Sequence, residues 1–75
     1  MQSRDAIKVI KARSGKSGVQ ISEELGKSRS WLGQTISRGS DPQAGTLAAI
    51  AAVCGYSLAL IGRDGDRIDI DAPER

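Results

Sequence analysis

Apolar residues recur at a helical period up to Gly55 and at a strand period beyond it. Ala6, Ile7, Val9 and Ile10 line one side of a first helix over residues 3–14. Ser3 is its expected N-cap, Asp5 lies in the first turn, and Gly15 is placed to end it. Ser17 and Gln20 then form a capping-box pair, Ile21 and Leu25 make a seam four residues apart, and Gly26 stops the second helix. A third helix follows almost at once over residues 28–38, opened by Ser28 and closed by Gly39, with Leu32, Thr35 and Ile36 on one side. Ser40-Asp41-Pro42 reads as a loop. Leu47, Ile50, Ala51 and Cys54 set the seam of a fourth helix over residues 44–54.

After Gly55 the alternation changes to that of a β-hairpin. Residues 56–61 are apolar, Arg63-Asp64-Gly65-Asp66 reads as a turn, and residues 67–71 alternate as RIDID. Leu58 and Leu60 share a face, as do Ile68 and Ile70. Since a lone two-stranded hairpin is marginal in water, those faces are expected to meet the helices or another chain. The expected fold is mainly α: four to five short helices followed by a C-terminal β-hairpin. It forms one domain over residues 1–75, helical over 3–55, with the hairpin over 56–71.

Composition narrows the chemistry. With no Phe, one Trp and one Tyr, the core must be aliphatic. No run approaches the roughly 18 apolar residues of a membrane span, and the N-terminus has no apolar signal core, so a cytoplasmic protein is expected. Cys54 is the single cysteine and there is no His, which argues against an internal disulfide, a zinc site and any cofactor. Cys54 itself reads as a small buried hydrophobe on its helix seam. No cluster of catalytic groups is legible, so an enzyme is not expected. Ser14-Gly15-Lys16-Ser17 lacks the earlier glycine of a phosphate loop, since Ile10 stands there. The aspartates from Asp64 to Asp71 lack the order and closing Glu of a calcium loop.

Charge is unevenly placed. Residues 1–40 hold eight Lys/Arg against three acids, a net +5, and residues 41–75 hold three against six, a net −3. Such a dipole suits orientation on a polyanion, although two solvated surfaces of different sign would look the same. The third helix breaks that tie. At about 100° per residue its outer side carries Ser30, Gln34 and Ser37, with Gly33 beside them and Arg29 near the start. Short hydrogen-bonding groups and no acid suit a face that reads base edges: Gln pairs with adenine, Arg with guanine, and Ser with either.

The stretch ISEELGKSRSWLGQTISRG, followed by SDPQAGTLAAIAAVCGYSL, resembles the helix-turn-helix of the lambda-repressor-like (Cro/C1, Xre-type) regulators over roughly residues 5–58. Gly18 stands where that family usually carries a phosphate-contacting Gln. The resemblance implies a sequence-specific double-stranded DNA-binding regulator, acting as a repressor and entering the major groove with helix 28–38. Carried over, Ser28, Arg29, Ser30, Gly33 and Gln34 are the base-proximal set. Around the groove, Lys16, Ser17, Lys27, Ser37, Arg38 and Ser40 are placed to meet phosphates. Trp31 either packs on a neighbouring helix or lies against sugar or a thymine methyl. A homodimer on two half-sites is the expected state, with the hairpin or the fourth helix as its interface. The alternative is a protein-interaction module, an antitoxin or regulatory subunit, whose hairpin binds a partner protein by strand addition.

Overall fold

A computed structural model describes residues 1–38 and 41–73. Its elements are α1 (Ser3–Ser14), α2 (Gly18–Glu24), α3 (Trp31–Ser37), α4 (Ala44–Val53), β1 (Leu58–Ile61) and β2 (Arg67–Ile70). The protein is therefore mainly α, four short helices followed by an antiparallel hairpin. Among the described residues no helix is long and apolar enough to cross a membrane.

The helix ends follow from local chemistry. Ser17 Oγ accepts the Gln20 N–H at 3.0 Å, the expected cap of α2. Both α2 and α4 finish in the same six-to-one arrangement. Lys27 N–H reaches Ser22 O at 2.9 Å beyond Gly26, and Tyr56 N–H reaches Ala51 O at 2.8 Å beyond Gly55. Gly26 and Gly55 take φ of 70° and 82°, a conformation an L side chain resists.

Two starts differ from expectation. Gln2, not Ser3, caps α1, because the Gln2 carbonyl already accepts the Asp5 and Ala6 N–H groups. Helix α3 begins at Trp31, and Ser28 is a turn residue whose carbonyl accepts Trp31 N–H at 3.0 Å. The cause lies in α2. Ser22, fully buried, donates its hydroxyl to Gly18 O at 2.7 Å and accepts Leu32 N–H at 3.0 Å. An N–H in the first turn of α3 is thus satisfied from the neighbouring helix, and Ser30, the N-cap, makes no side-chain capping bond. At the other end α3 stops at Ser37, with Arg38 extended; Gly39, its expected terminator, lies outside the described residues.

The core gathers Ile7 from α1, Ile21 and Leu25 from the α2 region, Leu32 from α3, and Ile50 and Cys54 from the α4 region. Trp31, Ile36, Leu47 and Val53 pack around it. Each fully buried aliphatic side chain contributes about 1.5–3 kcal/mol by leaving water. Cys54 is buried on its seam, as its spacing predicts.

The hairpin pairs Leu58 with Ile70, Ala59 with Asp69, Leu60 with Ile68 and Ile61 with Arg67. Its turn places Gly65 at φ 91°, with Gly65 N–H on Gly62 O at 3.0 Å and Gly62 N–H on Asp66 O at 2.7 Å. The expectation that its apolar face meets the helices holds only at the base. Leu58 and Ile70 are half-buried there, whereas Leu60 and Ile68 are 59% and 58% exposed. A strand of this length runs about 13 Å, and α4 meets the hairpin at its base while the distal half projects beyond.

Candidate nucleic-acid interface

Ser22 fixes the start of α3 against α2, so the outer side of α3 and the beginning of α2 form one surface. Ser17, Arg29, Ser30, Gly33, Gln34 and Ser37 surround a single shallow, open concavity there, completed by Gly18 and Val19. Six residues singled out from the sequence are thus brought together. No acidic side chain lines the concavity.

The lining groups are close to solvent and lightly held. Gln34 Nε2 donates to Ser30 Oγ at 3.3 Å. The Ser37 hydroxyl donates back to Gly33 O at 2.7 Å, leaving its lone pairs as acceptors. Arg29, its side chain 81% exposed, stands 3.8 Å from the exposed Glu23 carboxylate. An ion pair this open and this long contributes under about 1 kcal/mol, so the guanidinium can exchange it for another anion.

Gly33 is informative for what does not surround it. A Cβ added there meets no atom within 4 Å. Internal packing therefore does not call for glycine, yet a glycine inside a helix costs about 1 kcal/mol against alanine. Gly18 is similar, since an added Cβ would make only ordinary contacts of 3.7 Å with Leu32 and Lys11. Of the two, Gly33 is the position at which this surface leaves backbone bare.

Other predicted residues lie elsewhere. Ser28 is in the turn before α3 and does not line the concavity. Lys16 turns inward: its Nζ donates to Val53 O at 2.9 Å and meets Glu24 at 3.1 Å. A cation on the last carbonyls of α4 complements that helix's dipole. Lys27 Nζ sits over the Trp31 ring, 5.7 Å from its centroid, within cation–π range. Trp31 in turn packs against the core, and Thr35 is buried with its hydroxyl on Trp31 O at 2.9 Å. Arg38 is exposed beyond α3. Ser40 lies outside the described residues.

Two contributors escaped the sequence reading. Ser22 had a visible signal, a small polar residue three positions before Leu25 on the buried seam. Arg4 had none: its Nη1 reaches Arg38 O at 3.4 Å across 34 positions of chain. That contact adds a second cation at the C-terminal end of α3. No protein-family model matches the chain, and no curated protein or solved structure is significantly similar to it.

Proposed function

We propose that the protein is a sequence-specific double-stranded DNA-binding regulator, acting as a repressor, with α2 and α3 as a helix-turn-helix. The observation that carries this reading is the concavity itself. Arg29, Ser30, Gln34 and Ser37 line it without an acid among the lining residues, together with two glycines that no internal contact requires. In the major groove, α3 would lay Gln34 and Arg29 against base edges, where a good bidentate pair is worth about 1–3 kcal/mol of discrimination. The bare backbone at Gly33 would let the helix come close. Arg38, Lys27 and Ser17 would meet phosphates, supplying the salt-dependent, sequence-independent share of affinity.

Lys16 is better employed as a structural pin than as a phosphate contact, given its two internal partners. The second reading, a protein-interaction module, is favoured by the exposed Leu60, Ile61 and Ile68 on the hairpin. Both activities can belong to one chain.

Selection of bound sequences from a random duplex pool tests the DNA reading directly. An enriched site is expected, and no enrichment even at low salt would overturn it. Within the selected site, Gln34→Ala should relax base preference at one position. Arg38→Ala should weaken all sequences alike and reduce the salt slope by about 1. Equal effects of both variants on every duplex would remove the base-reading role of Gln34.

A further inference from the structure

A groove between the α2–α3 turn and α4 belongs to neither surface described above. It holds about 670 Å³ and shares no lining residue with the concavity around Arg29 and Gln34. Lys27 and Trp31 line it from the turn and the start of α3, and Gly45, Thr46 and Ala49 line it from α4. The chain that follows β2 bounds it on a further side. Pro73 is seated so closely on α4 that a Cβ added at Gly45 would lie 3.3 Å from its Cδ.

The lining combines one cation, one aromatic ring and no acid. Lys27 Nζ stands 5.7 Å from the Trp31 ring centroid, and Lys27 takes part in none of the ion pairs among the described residues. Trp31 is only part-buried, so its ring contributes surface to the groove as well as to the core. Thr46 adds a hydroxyl, and most of the remaining lining is small and apolar. Few polar groups on a mostly apolar concave wall is the composition of a small-molecule site.

We infer that this groove binds a small planar aromatic carboxylate, with its ring against Trp31 and its carboxylate on the Lys27 ammonium. Volume and boundary call for a small molecule. Ligand pockets run to about 300–1,000 Å³, and a peptide passing through would collide with the seated Pro73. Charge calls for an acid. An ammonium with no carboxylate of its own makes a charge-assisted hydrogen bond to an anion, roughly twice as strong as a neutral one, and repels a cation. Trp31 calls for a ring, since stacked and edge-to-face aromatic pairs gain beyond their buried area. Lys27 is also one of the cations that the DNA reading assigns to phosphate. An acid in the groove would therefore compete with DNA for it, a consequence that rests on that reading, whereas the site itself does not.

The full chain without DNA provides the test, and Trp31, as the one tryptophan, gives a single indole N–H signal by NMR. Naphthoate should shift that signal saturably and bind at least about tenfold tighter than uncharged naphthylmethanol. Lys27→Met, which keeps an apolar stem, should erase that preference, while Lys8→Met on α1 should keep it. Ala49→Leu, which fills the groove, should abolish binding of both compounds with the helical circular dichroism intact. No shift at millimolar naphthoate overturns the inference, as does equal binding of acid and alcohol, or a preference that survives Lys27→Met. On the duplex selected for the DNA reading, saturating naphthoate should lower affinity and reduce the salt slope by about 1. An unchanged slope would overturn the competition alone. A chain that binds naphthoate but selects no duplex would overturn only the DNA reading.

Discussion

The helical unit and the hairpin obey the same alternation of apolar and polar residues but finish it differently. In the helices every apolar seam finds a partner within the chain, and Ile7, Ile21, Leu32 and Ile50 are fully buried. In the hairpin only the base is covered, and the distal leucine and isoleucines stay in water. A helix of this size can close its face against three neighbours. A two-stranded sheet has two faces and two edges, and one contact with α4 cannot close them all. The helical part is thus complete as a single chain, and the hairpin is the part with surface left to fill.

Core truncation should break the contrast most sharply. Ile21→Ala is expected to cost about 2–5 kcal/mol in chemical denaturation, whereas Leu60→Ala in dilute protein should stay within about 0.5 kcal/mol of the parent. Comparable losses at both sites would mean the hairpin is part of the same closed core. Next in size is Ser22→Ala, which strips a buried N–H of its acceptor and should cost about 1–3 kcal/mol in the same denaturation measurement. The smallest change sharpens the picture in the opposite direction. Gly33→Ala should raise stability by about 0.5–1 kcal/mol while weakening binding to the selected duplex. A variant that is more stable and binds equally well would show that the bare backbone serves no ligand.

Local features of the fold were legible in the sequence, and distant ones were not. The Ser17–Gln20 pair and the glycines after α2 and α4 act within a few residues of themselves, and each stands where the pattern puts it. The start of α3 was misplaced at Ser28 because its cap comes from Ser22, ten positions away and on another helix. A search for a serine just ahead of the helix finds the wrong one. Lys16 misled for a similar reason. As a surface cation in a basic half it reads as a phosphate contact, but its partner Val53 O lies 37 positions on. The alternation of Leu60 and Ile68 correctly located a shared face but could not tell whether the helices would extend far enough to cover it. The candidate concavity was readable for the opposite reason. Arg29, Ser30, Gly33, Gln34 and Ser37 sit within nine positions of one another, on one short element and its approach, so helical geometry alone gathers them.

The double role of the Ser22 hydroxyl has a consequence for adaptability. Because the same oxygen is held within α2 by Gly18 and accepts the Leu32 N–H of α3, neither helix can swivel against the other without breaking the bond that joins them. A ligand in the concavity would therefore meet a backbone already set, with little chain entropy left to lose there. Adjustment falls to the rotamers of Arg29 and Gln34, the two long side chains on its rim. Discrimination between closely related ligands would then be sharp, and tolerance of altered spacing within a ligand would be poor.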